Sequence, residues 1–314
     1  MSGAAGAPGA ATSWRGWLLV LALVAVAAAH LTLVGRARVA RPSPDAHAIR
    51  PVPGFRQDAW FLPDDPSLGF VRVDAGAFTM GAAPPADPLA FDNERWSPSA
   101  GDGTVDVDGF LVGRYEVTVA QFDAFVRDTG YRADARALDA GGAYPVAWVS
   151  WTDALAYCRW LDAALRAAPV PPLVADALRD GWRVSLPTEA QWEKASRGTD
   201  ARRYPWGPDA REGAANLSTN GPIAVGALTC PSCAHGLSDM SGNVREWTSS
   251  PYQPYPYDET DDRDTAAADA LWVIRGSGFD DPPRHARVTT RTGADPGVRR
   301  ADIGFRVVLA PPHP

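Results

Sequence analysis

Cys230 and Cys233 stand three residues apart in the run CPSC. Such a pair can close a local disulfide, hold a soft metal or cycle as a redox dithiol, and for an exported chain the disulfide is the expected state. A zinc site needs four ligands, and there is no second pair. The third cysteine, Cys158, falls on the apolar face of an expected helix and reads as an inert buried thiol. Of five histidines, His30, His47 and His313 lie near the chain ends, leaving His235 and His285 as candidate ligands in the central part. No GxGxxG, P-loop, HExxH or GxSxG run occurs, so none of the chemistries these serve has a sequence foothold. The acidic run DETDDRD at 258–264 reads as a solvated loop.

Three helix starts are marked by side chains able to satisfy the free N–H groups of a first turn. Thr118 with Gln121 opens VAQFDAFVRDTG, where Phe122, Phe125 and Val126 share a face and Gly130 suits the position after the helix. Ser150 with Asp153 opens WTDALAYCRWLDAAL, with Trp151, Leu155, Cys158 and either Leu161 or Asp162 on successive turns. Thr188 with Gln191 opens EAQWEKASRG, closing at Gly198. Alternation around Val71 and Val73, in TVDVDGFLVGRYEV, near LWVIRG and in IGFRVVLA predicts short strands. Strands and helices mix irregularly, which predicts an α+β fold with long loops rather than a doubly wound sheet.

The 314 residues suffice for one domain with appendages, and 46% hydrophobic against 21% charged residues excludes a disordered chain. The net charge of −7 opposes a nucleic-acid surface. Lys194 is the only lysine, so 29 of the 30 cations are arginines, which reads as composition rather than function. Residues 1–15 form a tail. Residues 16–35, apolar from Trp17 to Ala29 and again after His30, are expected to be a transmembrane anchor or a signal peptide. Arg36, Arg38 and Arg41 behind this segment pull the other way by the positive-inside rule, but export is the reading adopted. Residues 36–66 read as a linker and 67–310 as the globular domain.

The ordered series VDAGAFTMG, GRYEVTVAQFDAFVRDTGY, YPVAWVSWTDALAYCRWL, WRVSLPTEAQWEKASRG, YPWG, ANL, GLSDMSGNVREW, VIRGSGF and DIGFRVV resembles the formylglycine-generating enzyme (sulfatase-modifying factor) family. The resemblance implies a C-type-lectin-like α+β fold, structural calcium, and oxidation of a sulfatase cysteine by copper held on two thiolates. By resemblance Asp239 and Glu246 give side-chain oxygens to calcium, and Gly242 and Val244 give carbonyls. A hard cation wanting six to eight oxygens suits such a tight loop. Asn216 and Leu217 match a second calcium site whose downstream carboxylate is missing from a shortened loop.

The family's two copper cysteines fall on Asp281 and Ala286, which supply no thiolate for Cu(I). The stretch DDPPRHARVTTR looks like the family's cysteine-less branch. An iron site of His235, His285 and Asp280 or Asp281 is the metal alternative. The expected function is therefore an envelope-located binding or scaffold module without copper, holding a peptide, glycan or protein partner. The alternative is an oxidoreductase acting on a protein or peptide, by formylglycine-type cysteine oxidation or with another metal.

Overall fold

The computed structural model describes residues 67–82, 87–96, 103–265 and 270–312. The expected tail, the apolar segment 16–35 and the linker 36–66 all fall outside these residues. Among the described residues no helix is long and apolar enough to cross a membrane.

All three anticipated helix starts form with reciprocal caps. Helix α1 is Val119–Thr129, capped by Thr118 and Gln121; α2 is Trp151–Ala167, capped by Ser150 and Asp153. A short α3, Pro172–Arg179, follows, and α4 is Glu189–Arg197, capped by Thr188 and Gln191. Gly130 takes the left-handed conformation after α1, as expected. Gly198 instead leaves α4 at φ 68°, ψ −152°, outside the left-handed well. Leu161 rather than Asp162 completes the buried stripe of α2. Asp162 turns to accept from the Val184 amide at 3.0 Å.

One sheet runs in the order β1 (Phe70–Val73), β4 (Phe110–Gly113), β10 (Val308–Ala310), β5 (Arg183–Ser185), all antiparallel. Strands β2 (Gly76–Thr79) and β3 (Thr104–Val107) form a separate antiparallel pair. The second sheet orders β8 (Arg291–Ala294), β7 (Trp272–Arg275), β6 (Arg245–Pro251) and β9 (Ile303–Gly304). Here β9 lies parallel to β6, placing Gly304 opposite Glu246.

The larger core joins α1 and α2 to both four-stranded sheets through Phe122, Phe125, Leu155, Leu161, Trp247 and Phe305. Trp151 at the start of α2 stacks on Trp272 of β7 with ring centres 3.9 Å apart, and its indole N–H donates to the Thr248 carbonyl. Trp247 returns a bond to the Val149 carbonyl at 3.0 Å. The Trp151 and Trp247 indoles thus bury a large apolar surface while their N–H groups are satisfied, whereas the buried Trp272 N–H has no partner among the described residues. These contacts fix the start of α2 against β6, the strand that carries Glu246.

The arginines are not merely compositional. Arg275, Arg287, Arg291 and Arg306 are buried, and each faces a buried glutamate. Arg287 meets Glu94 with Nη2 2.8 Å from Oε1; Arg291 grips Glu189 with two bonds of 2.6 and 2.7 Å; Arg275 pairs with Glu193. Sequence separations of 60 to 193 residues make these pairs, Arg306 with Glu246 included, long-range clamps.

Candidate functional site

The loop ahead of β6 is built by close backbone approach. Gly242 sits at φ 78° and pairs as a bridge with Asn216; a Cβ there would lie 2.5 Å from the Asn216 carbonyl oxygen. Asn243, also left-handed at φ 66°, is fully buried. Its amide nitrogen donates to Glu116 Oε2 at 2.7 Å, and its oxygen accepts from the Ile223 amide at 2.9 Å and from Asn216 Nδ2 at 3.2 Å. Asn tolerates this conformation because its short polar side chain replaces local backbone partners.

Three carboxylates share one guanidinium at this loop. Glu246 Oε2 accepts from Arg306 Nε at 2.6 Å and from the Trp192 indole at 2.7 Å, while Oε1 accepts from Arg306 Nη2 at 2.7 Å. Glu116 accepts from Asn243 and, at 3.2 Å, from the Val244 amide. Asp239, left-handed at φ 58° and half-buried, accepts from the Gly226 amide at 2.7 Å. Burial, with Asp239 and Glu246 beside it, pushes the Glu116 carboxyl well above the usual carboxylate range. Burial also pushes Asp239 up to about 6. The charge excess suits a cation, and among the described residues one Asp239 oxygen has no hydrogen-bond partner. Glu246 is Arg306's partner and has little left for a metal. Among the described residues no three His, Cys, Asp or Glu side chains converge closely enough to hold a metal alone. Calcium would find negative charge and one Asp239 oxygen here, but not the full expected set of ligands, since Glu246 is committed to Arg306.

Asn216 acts as a brace: its Oδ1 accepts from the Thr219 hydroxyl at 2.8 Å, and its Nδ2 donates to the Gly221 carbonyl and to Asn243. Leu217 beside it is partly exposed.

The two positions expected to carry thiols are occupied by an ion-pair network. Asp281 is buried; Oδ2 accepts from Arg245 Nη2 at 2.6 Å and from the Gly278 amide at 3.0 Å, and Oδ1 lies 3.4 Å from His285 Nδ1. Arg245 also pairs with Asp302, which Arg300 grips at 2.9 and 3.0 Å. Ala286 is 3% exposed and offers only its carbonyl, which accepts from Ser241 Oγ at 3.0 Å. Thiolate-held Cu(I) does not fit a set without sulfur.

The two-histidine alternative does not assemble. His285 sits among Asp281, Arg245 and Arg287, whereas His235 senses Lys194 and Arg202. Burial pulls both imidazoles below their ordinary value. Cys230 and Cys233 form a disulfide with 5.3 Å between Cα atoms, and Cys158 is a buried free thiol, pushed up by burial. The acidic run departs from expectation at one residue. Asp262 is 6% exposed, held by the Ser250 and Tyr257 hydroxyls, and burial raises it to about 7.

Sequence reading missed Glu116, Trp192, Arg245, Asp302 and Arg306. Only Glu116 carried a signal, an acid between the alternating run and the Thr118 cap. The others acquire meaning from partners distant in sequence.

An α+β domain with ten short strands among the described residues, much irregular chain and a glycine-tight loop feeding β6 has solved counterparts. PvdO from Pseudomonas aeruginosa superposes with a TM-score of 0.59 and 27% identity, covering 77% of this chain and 94% of that one. CarF, at TM-score 0.54 and 23% identity, shows the same fold. Residues 62–311 match the sulfatase-modifying factor enzyme 1-like domain, and the chain belongs to that family. Formylglycine-generating enzyme of Thermomonospora curvata is 29% identical over 322 residues, covering 79% of this chain and 96% of that protein. Hercynine oxygenase of Mycolicibacterium thermoresistibile is 34% identical over 217 residues, 57% of this chain and 43% of that one. A bovine protein named inactive C-alpha-formylglycine-generating enzyme 2 is 34% identical over 182 residues, covering 52% and 49%. The chain thus spans about half or less of the latter two relatives.

Proposed function

We propose that this chain is an envelope-located binding or scaffold module of its family, without copper–thiolate oxidase chemistry. The observation that carries this reading is Asp281. At the first thiol position it is buried and committed to Arg245, to the Gly278 amide and to the neighbourhood of His285. A carboxylate so held is a structural anchor for the loop after β7, and Ala286 removes the second thiol altogether. The similarity to a protein named as inactive is in keeping with this. Export is proposed on the expected disulfide state of Cys230 and Cys233 and on the apolar segment 16–35. We further propose structural calcium at the loop before β6, held by Asp239 and the carbonyls of Gly242 and Val244, with Glu246 balancing Arg306. The ion would supply positive charge to a carboxylate-rich loop and take no part in a reaction.

The test is conversion of a peptide containing Cys-x-Pro-x-Arg. The purified full chain, supplied with copper and reductant in air, should leave the peptide mass unchanged. Domain-dependent loss of about 18 Da from the cysteine, the signature of thiol-to-aldehyde oxidation, would establish the oxidoreductase alternative instead; it would place the chemistry on ligands other than paired thiolates.

A further inference from the structure

The Cys230–Cys233 disulfide does little for the fold. It joins residues only three apart in sequence. A cross-link stabilises mainly by closing a loop of the unfolded chain, and that effect is least for the shortest loops. The turn also holds without sulfur. The Cys233 amide donates to the Cys230 carbonyl at 3.1 Å, and the Gly236 amide donates to the Cys233 carbonyl at 3.2 Å. Just past the turn Ala234 is buried against Gly198 at the end of α4, and Leu237 is buried in the core beyond it. Arg202 braces the turn from outside, its Nη1 donating to the Ser232 carbonyl at 2.8 Å and to the Pro205 carbonyl at 2.9 Å. The scaffold around the two sulfurs is therefore fixed by contacts that survive reduction.

The sulfurs can also be reached. Cys230 and Cys233 are half-buried, and Thr229, Pro231 and Ser232 beside them are exposed. Cys158, by contrast, is 1% exposed. Ser232 Oγ lies 3.9 Å from Cys230 Sγ. A disulfide sulfur carries no hydrogen, so the hydroxyl is the donor. The same hydroxyl is placed to donate to a Cys230 thiolate, and a donor to the charged form favours that form. The other charged groups at the turn are Arg202, gripped by Asp200 at 2.8 and 2.7 Å, and His235, on which Lys194, Arg202 and Asp74 act. Lys194 and Arg202 favour a thiolate here, and Asp200 and Asp74 offset them in part. Ser232 is what distinguishes Cys230 from Cys233.

We propose that Cys230 and Cys233 form an exchange-active disulfide that takes two electrons from a cysteine pair of a partner polypeptide. A partner thiolate attacks Cys230 Sγ; the bond to Cys233 breaks, and Cys233 leaves as a thiolate that takes up a proton. The partner's second thiolate then attacks its own sulfur in the mixed disulfide and expels Cys230 as a thiolate beside the Ser232 hydroxyl, where it is protonated in turn. The partner ends as a disulfide and this chain as a dithiol. Two electrons and two protons have passed, and no further co-reactant enters. The exchange is separate from the loop before β6 and does not depend on whether that loop holds calcium.

The probe is the reduced peptide Gly-Cys-Gly-Gly-Gly-Cys-Gly amide, mixed without air with an equimolar amount of the oxidised full chain and quenched in acid for mass spectrometry. The peptide should lose two hydrogens while the chain gains two, about a hundredfold or more faster than with the same concentration of oxidised glutathione. Excluding air keeps this result apart from any copper- or oxygen-dependent oxidation of a cysteine peptide. Ser232→Ala should slow the exchange about fivefold without moving the melting temperature. Offered the cyclic oxidised peptide, Cys233→Ser should accumulate a mixed disulfide through Cys230, and Cys230→Ser should accumulate little. Peptide oxidation no faster than with oxidised glutathione overturns the proposal. A melting temperature that falls by more than about 10 °C on reduction overturns it as well, because the bond is then a structural staple. Trapping through Cys233 rather than Cys230, or an unchanged rate in Ser232→Ala, overturns the roles given to the two sulfurs.

Discussion

Glu246→Ala should lower the melting temperature of the protein by about 10 °C. Glu246 and Arg306 are each at most 1% exposed, and two short bonds join them. Removing the carboxylate leaves a buried guanidinium hydrogen-bonded only to the Gly113, Arg114 and Ser238 carbonyls, with Glu116 and Asp239 near it but not bonded to it. Stranding one member of a buried pair costs about 3–5 kcal/mol, because the remaining charge stays desolvated without its counter-ion. In a domain this size each kcal/mol shifts the melting temperature by about 2–4 °C. The Trp192 indole loses its acceptor in the same step, which adds to the loss. Glu246→Leu combined with Arg306→Met should recover a large part of the deficit, since an apolar pair of similar volume has no charge to bury. Asp74→Ala is the contrast: the Arg72–Asp74 pair is exposed, and its loss should change stability by less than about 1 kcal/mol. A Glu246→Ala protein melting within about 2 °C of wild type would show that Arg306 finds solvent or another anion, and that the pair does not clamp β6 to the chain after β9.

What could be read from the sequence was what neighbours in sequence decide. A cap needs only two residues three apart, so Thr118, Ser150 and Thr188 each announced a helix that the structure contains. Helix α3 and strand β5 were not anticipated. The Pro171–Pro172 step that starts α3 is equally a loop signal, and three residues of β5 are too few for alternation. The arginine clamps were invisible for a different reason. Arg287 and Glu94 are 193 residues apart, and nothing local marks either as buried. Asp262 defeated the charge-run reading in the same way: five acids in seven residues suggest solvent, yet tertiary partners Ser250 and Tyr257 draw one of them inward. The absence of thiols at 281 and 286 was plain from residue identity. That Arg245, Asp302 and His285 would gather around Asp281 required the fold.

The carboxylates around Arg306 make a stability profile with a definite sign. An unfolded aspartate titrates near 4, and folded Asp239 titrates at about 6. Between these values the folded state holds more protons than the unfolded state, so stability falls as pH rises through that window. Glu116, raised for the same cause, extends the fall in the same direction. Two pKa units at Asp239 correspond to about 3 kcal/mol, an upper bound because the residue keeps some exposure. In EDTA, then, the protein should lose stability as pH rises from about 4 through about 6, and Asp239→Asn together with Glu116→Gln should reduce that loss to the share carried by Asp262, whose raised carboxyl acts with the same sign up to about pH 7. A divalent cation competes with those protons for the same negative charge. Calcium at a hundred times its dissociation constant should restore about 2.7 kcal/mol at pH 7 and progressively less near pH 4, where the carboxyls are protonated. The measurement is thermal melting across pH in EDTA and in calcium, on wild type and on the double variant. If calcium raises the wild-type melting temperature at neutral pH and leaves the double variant unmoved, the ion sits at this loop. A pH-dependent wild type that ignores calcium assigns the charge excess to protons alone and removes calcium from the proposal. A wild-type profile that is flat in EDTA would mean that Arg306 already compensates all three carboxylates, and the raised titrations of Asp239 and Glu116 would be wrong with it.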